Sequence, residues 1–391
     1  MDYFLNNHFL LDESPAQIMP RQLAGQIDWN HRLICIKGFR GVGKTTFILD
    51  FIRKNYGDDK SVLYVNLNNF YFTRRRIFSF ADEFSKRGGQ ILFLDQIHKF
   101  PGWSSELRKC YDEIPDLKII FTASPVLRVG DENPQLNGIV QLHHLEGLSF
   151  REFLNYRTGE DFQPFPLEEI IGDHISLARL VIEKVKPLAW FSEYLRSGYY
   201  PYFRERGALY HDQLLKNINL ALEIDIPYLY QIEFKYLPKL RKLLYLIASD
   251  TPSAPNVSKL ASAVDTSRAT VMNYINYLKN ARLIKSLYNN GDEDQIRKPS
   301  RLYMHNTNIL LTVAPEHAEL PVLRHTFFLN QVGMHYGVKA LPDADFLIED
   351  KYPFMVGGRK TEGLSGKYGA LDMIEIGEGH KIPLWLFGFL Y

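Results

Sequence analysis

The sequence predicts an α/β fold: a parallel sheet with helices on both faces, then a helical stretch, a helix–turn–helix with a hairpin, and a small α+β domain. Three observations carry this. Apolar runs of strand length alternate with helical stretches up to about Leu148. A glycine-rich loop joins the first run to the first long helix. Beyond Ser149 helical periodicity takes over, and beyond Tyr303 glycine and short strands return.

Taken in order, residues 1–30 read as a short helical lead-in. Leu33–Lys37 (LICIK) is a continuous apolar run, the mark of a strand buried on both faces. Val62–Leu67 (VLYVNL), Ile91–Asp95 (ILFLD) and Lys118–Thr122 (KIIFT) repeat that mark, with helices between them. These elements make a first domain, 1–148. Ser149-Phe-Arg-Glu152 is an S-x-x-E capping box, which satisfies helix N-terminal donors from both sides. It opens a helical segment, 149–240. Prolines 252 and 255 break the chain inside the next unit, 241–303. The last domain, 304–391, has its clearest signal at Asp345–Val356, which alternates around a turn at Glu349-Asp350; Trp385, Phe387 and Phe389 are its candidate core.

Composition excludes several classes. Lys and Arg number 46 against 45 Asp and Glu, a net charge of +1, so the chain is neither a polybasic nucleic-acid coat nor an acidic tail. At 46% hydrophobic and 23% charged it is an ordinary globular composition. Two cysteines, Cys35 and Cys110, cannot build a disulfide framework or a zinc site, and suit buried thiols of a cytoplasmic protein. No apolar run approaches the ~18 residues of a membrane span.

Gly38-Phe-Arg-Gly41-Val42-Gly43-Lys44-Thr45 fits G-x-x-x-x-G-K-[ST] and lies between a buried strand and a helix. In that setting the loop glycines, with Val42 and Thr46, let backbone N–H groups cradle phosphate, and the helix N-terminus adds partial positive charge. Lys44 brings a point charge to the β- and γ-phosphates, and Thr45 offers a hydroxyl to Mg²⁺. Asp95, at the end of an apolar strand, supports the same metal. Thr122 and Ser124 close a further strand, where a hydroxyl reaches either the γ-phosphate or only a strand end; Thr122 is the expected γ-phosphate sensor. His98 and Lys99 follow in the loop after Asp95.

The segments GFRGVGKTT, ILFLDQIHKFPGW, LKIIFTAS and HLEGLSFREFL occur in that order. Together they resemble the bacterial and archaeal AAA-type P-loop ATPases of the archaeal-ATPase-like group, whose C-terminal domain of unknown function carries a winged helix and a restriction-nuclease-like remnant. The resemblance covers nearly the whole chain. It implies a five-stranded AAA core at 1–148, a helical lid at 149–240, and ATP as ligand with Mg. Two departures stand out. Relatives commonly follow the strand-end Asp with Glu, the base for the attacking water, where this chain has Gln96. An amide orients water without taking its proton, and general-base assistance is worth roughly 10²–10⁴ in rate. Relatives also often carry an arginine pair before GLSFRE, where this chain reads QLNGIV from Gln135 to Val140. Arg128 is the candidate substitute for that pair, and Arg196, just before Gly198-Tyr-Tyr-Pro201 in the lid, is a candidate γ-phosphate sensor.

Within 241–303, Val257, Leu260, Ala261 and Val264 lie on one helix face. Asp265-Thr266-Ser267 makes a turn with an N-cap, and Val271, Ile275 and Leu278 mark a second helix. With a hairpin from Leu283, turning near Gly291, this is a winged helix-turn-helix. Between 256 and 301, eight Lys and Arg stand against four Asp and Glu, a modest footprint for DNA. Arg268, Asn273 and Asn276 are the candidate DNA contacts, and packing against protein is the competing use. In 304–391, Asp345 occupies the first acid of a nuclease hairpin, but Met355 and Gly357 stand where the second acid and the lysine belong. The domain therefore reads as a degenerate remnant.

The sequence is thus read as a cytoplasmic, Mg-dependent ATP-binding protein with slow or conditional hydrolysis. Lys44, Asp95, Gln96 and Thr122 are its catalytic set. Its partners are ATP and ADP, with DNA through 256–301 or a protein partner beyond them, and no membrane. No oligomeric state is specified. The alternative is a non-hydrolysing nucleotide-dependent switch or DNA-binding regulatory protein, and Gln96 separates the two.

Overall fold

Why the four apolar runs become one sheet is plain from their burial in the computed structural model, which describes Phe4 and residues 19–289, 298–361 and 364–391. Ile34, Cys35, Ile36, Leu63, Leu92, Phe93, Leu94 and Phe121 are all fully buried. Such runs have no polar face to give to solvent, so both faces of the sheet need helices. The chain forms two units, Met1–Glu146 and Gly147–Tyr391.

In the first unit, β1 (Leu33–Lys37), β2 (Val62–Asn66), β3 (Ile91–Asp95), β4 (Lys118–Ala123) and β5 (Gln141–His144) lie in the order β2-β3-β4-β1-β5, all parallel. β4 therefore separates β1, which feeds the glycine loop, from β3, which ends in Asp95. Register sets Asp95 opposite Asn66 and Lys37 opposite Ala123, so the C-terminal strand ends meet at one edge. That edge is where open parallel sheets bind ligands. β5 has no strand signature in its residues, QLHH; its pairing with β1 makes it a strand. Of the lead-in expected at 1–30, the described residues contain the short helix Leu23–Gln26.

In the second unit the capping box forms as the sequence predicts. Glu152 N donates to Ser149 Oγ at 3.0 Å, and Ser149 N to Glu152 Oε2 at 3.2 Å. Helices then run to Leu237–Ser249 without a strand among the described residues. A buried polar network ties this region together. Asn308 Oδ1 accepts from Tyr199 N at 2.9 Å and Tyr210 Oη at 2.6 Å, while its amide donates to Leu195 O at 2.7 Å. Gln331 donates to Tyr194 Oη at 3.1 Å and accepts from Phe150 N at 3.3 Å. A network so fully paired specifies one packing rather than several.

Helices Val257–Ala263 and Arg268–Asn280 follow, the second capped by Ser267, whose Oγ accepts from Thr270 N at 3.1 Å. β6 (Ile284–Leu287) and β7 (Arg301–Met304) pair antiparallel, and Ser253 bridges to Leu302. The turn expected near Gly291 lies outside the described residues. A mixed sheet ends the chain, with β8 (Val338–Leu341), β9 (Ala344–Ile348), β10 (Tyr352–Gly357), β11 (Tyr368–Leu371) and β12 (Lys381–Pro383) in sequential order. β9 alternates buried and part-exposed residues, and Glu349 and Asp350 take φ of 51° and 54° in the turn to β10. Trp385, Phe387 and Phe389 are buried, Phe389 stacking on Phe165 and meeting Phe150 edge-on.

Candidate nucleotide-binding site

The glycine loop is shaped by two separate demands. Gly41 and Gly43 sit at φ 86° and 94°, a region only glycine enters freely. Gly38 answers a different one: a Cβ there would lie 2.3 Å from Leu145 O, so β1 could not pass so close to the chain leaving β5. Helix Lys44–Asn55 starts directly after Gly43, and Phe47 N reaches Gly43 O at 2.8 Å. The amides ahead of Phe47, from Lys44 to Thr46, have no intrahelical acceptor and form the donor end of the helix. Lys44 Nζ lies 2.7 Å from Gly38 O and 3.0 Å from Phe39 O, held over the loop it serves. Arg21 pins the loop from behind, donating to Val42 O at 3.0 Å and Glu146 O at 2.7 Å.

Asp95 is 1% exposed. A carboxylate so deeply buried is tolerable only with donors around it. Three hydroxyls supply them: Thr45 Oγ1 donates to Oδ2 at 2.7 Å, Tyr64 Oη to Oδ2 at 2.8 Å, and Thr122 Oγ1 to Oδ1. Burial first, then the charge of Asp95 and its hydrogen bond, pushes the Tyr64 hydroxyl well above the usual phenol range, so it remains a donor. Thr45 at the helix start and Asp95 at the strand end are thereby brought together.

Thr122 is turned to this network. Its proton goes to Asp95, and its oxygen accepts from Gln96 N at 2.8 Å. Ser124, two residues on, is 5% exposed, and its Oγ has no hydrogen-bond partner among the described residues. Gln96 itself is left-handed, φ 60° and ψ 48°, a conformation uncommon for a non-glycine residue and held here by Thr122. Tyr64 carries no motif in the sequence; its only signal is a hydroxyl in the mostly apolar run VLYVNL. Arg128 is exposed in the loop after β4, and Arg196 is exposed on the π-helical turn Tyr194–Gly198.

The residues fit a nucleotide carrying its own metal. Among the described residues no cluster of three or more His, Cys, Asp or Glu is placed to hold a metal by itself. One hydroxyl and one carboxylate instead match Mg²⁺ that takes its other ligands from phosphates and water.

Elsewhere the candidate DNA residues divide. Lys285 Nζ donates to Leu329 O at 3.0 Å, and Arg301 Nη1 to Asp345 O at 3.0 Å, so both are spent on packing. Arg297 lies outside the described residues. Lys259, Arg268, Asn273 and Lys298 are exposed, and Asn276 is half-buried. In the last sheet, burial pushes Asp345 up, but His325 at 3.2 Å and Val356 N at 2.7 Å outweigh it and hold the carboxyl below its ordinary value. A Cβ at Gly357 would lie 2.0 Å from Thr361 Oγ1, so a side chain there would need Thr361 to move.

Replacing Tyr64 with Phe takes one donor from a buried carboxylate, a loss of about 1–3 kcal/mol. Amide exchange across Ile91–Gln96 is expected to speed up by about five- to a hundredfold; unchanged exchange would mean the hydroxyl contributes nothing to holding β3.

Residues 30–154 match the family model described as an AAA domain, and residues 188–319 match one described as a domain of unknown function. Two uncharacterized proteins of Methanocaldococcus jannaschii, MJ1637 and MJ1544, are each 24% identical to this chain. The matches cover 69% of this chain and 60% of the first, and 81% of this chain and 72% of the second. This chain thus spans 60% of the length of MJ1637. Among solved structures, AMPPCP-bound DnaA from Aquifex aeolicus aligns over 71% of this chain and 92% of that one, at 15% identity and a TM-score of 0.28. The AAA-domain match and the five-stranded parallel sheet with its glycine loop make the first unit an AAA-type P-loop NTPase fold.

Proposed function

We propose that this chain is a Mg-dependent ATP-binding protein of AAA type with slow or conditional ATP hydrolysis. The observation that carries the proposal is the 2.7 Å bond between Thr45 and Asp95 at the end of a complete phosphate loop. Gly38, Gly41, Val42, Gly43, Thr45 and Thr46 shape the cradle, Lys44 meets the β- and γ-phosphates, and Thr45 and Asp95 support the metal. Bound Mg²⁺ supplies charge neutralisation on the phosphates. Gln96 orients water. The orphaned hydroxyl of Ser124 favours Ser124, rather than Thr122, as the group that meets the γ-phosphate or the attacking water.

The helical segment 149–240 is read as a lid, 241–303 as a winged helix and 304–391 as a nuclease remnant without a metal site. Exposed Arg268 at the start of a capped helix supports DNA contact through 256–301, though with fewer cations than the sequence alone implies. A protein partner is the other use of that surface. Cys35 and Cys110 are buried free thiols, Cys110 pushed up to about 12 by burial and Glu106, which suits the cytoplasm. No helix among the described residues is long and apolar enough to cross a membrane.

Lys44→Ala is expected to weaken Mg·ATP binding by more than about tenfold, or ~1.4 kcal/mol. Equal affinity for wild type and variant in calorimetry would sink the assignment.

Gln96→Glu separates slow hydrolysis from a non-hydrolysing switch. It restores a base with the same backbone and size, so turnover at saturating ATP should rise by as much as about 10², with no tighter ATP binding. A variant no faster than wild type would mean that something other than the base limits the chemistry.

A further inference from the structure

One surface of the first unit is unused by the nucleotide site. Beyond Leu67 the chain makes a 3₁₀ turn, Phe70–Thr73, before the helix Ile77–Lys86. Asn69 caps the turn, accepting from Tyr71 N at 2.9 Å. Two of its aromatics anchor it: Tyr71 meets Phe4 edge-on at 5.1 Å, and Phe72 meets Phe80 at 5.3 Å. The third, Phe70, points outward and is 88% exposed, more than any other large hydrophobic residue described. A rigid turn presenting a bare ring is a stacking platform.

Phe70 borders a groove of about 730 Å³ that is also lined by Lys99 and Pro101 of the segment after β3 and by Ser105 and Glu106 of the helix Trp103–Glu113. The arginine run Arg74-Arg75-Arg76, directly after the turn, continues the Phe70 side onto a neighbouring face. Together the groove and that face carry six Lys and Arg against three carboxylates. Glu106 takes Arg76 at 3.0 Å, yet the arginine side chain remains 78% exposed. Glu83 is shared by Arg75 and Arg87. Arg74 and Lys99 make no ion pair among the described residues. The charge balance is positive in a chain whose whole balance is +1.

From this we infer that the groove between 67–76 and 99–106 binds single-stranded nucleic acid, a base stacking on Phe70 and the phosphates running along Arg74, Arg76 and Lys99. An exposed ring beside a cationic track is the physical signature of such sites. A closed duplex offers no free base face to the ring along its length, and an acidic chain without aromatics, such as polyglutamate, has no aromatic face to stack on it. The site draws on other residues than 256–301 and needs no nucleotide.

The test is fluorescence anisotropy of a labelled oligothymidylate with the full chain, without nucleotide, over a range of salt. Binding is expected at low salt and should beat a duplex of equal length. Phe70→Ala, at a position too exposed to affect folding, should weaken it by about five- to a hundredfold, and Phe70→Trp should retain it. Arg74→Ala with Lys99→Ala should flatten the salt slope by about 0.7 per cation removed. Four results would overturn the inference: no binding at low salt, no effect of Phe70→Ala, equal displacement by duplex or polyglutamate, or a loss that follows Arg268→Ala instead. Because the assay uses no ATP, its failure would leave the nucleotide reading intact, and the reverse holds too.

Discussion

The first unit turns on one buried charge. Asp95 sits at the end of a strand covered on both sides, where an unpaired carboxylate would cost several kcal/mol. Thr45, Tyr64 and Thr122 meet it from three elements: the helix after the glycine loop, β2 and β4. Each donor fixes its own element against β3, so the same bonds that make the charge tolerable hold the C-terminal edge of the sheet in register. The strained backbone of Gln96 follows, since Thr122 accepts the Gln96 N–H while giving its proton to Asp95. The acid at that edge is therefore preorganised: Asp95 and its three donors are fixed before any ligand contributes.

The parts of this fold legible in the sequence are those whose signals are local. The apolar runs, the glycine loop, the Ser149 capping box and the turn at Glu349-Asp350 each need only a few neighbouring residues to be recognised, and each is where the sequence puts it. What stayed hidden depends on partners distant in the chain. Gln141–His144 is a strand only because β1 offers it an edge. Tyr64 looks like one more strand residue until β3 brings Asp95 beside it. Thr122 and Ser124 look alike in sequence, and only their hydrogen bonds divide them into a positioner of Asp95 and an uncommitted hydroxyl. Lys285 and Arg301 count as DNA-facing charge on paper, yet both cap backbone carbonyls.

The second unit holds its shape by a different device. Asn308 and Gln331 are buried amides with partners on several helices, and the aromatic C-terminal turn closes over Phe150 and Phe165. Asp345 adds to this frame: it accepts from Val356 N on β10 and lies 3.2 Å from His325.

The central claim is that Thr45 and Asp95 form a working metal support for ATP. Its most direct test is calorimetric titration of the full chain with ATP, once with Mg²⁺ and once with the metal chelated, for wild type and Asp95→Asn. The account predicts that Mg²⁺ tightens wild-type binding by about tenfold or more, and that Asp95→Asn erases this gain while leaving metal-free binding in place. Equal affinity with and without Mg²⁺ in the wild type would contradict it.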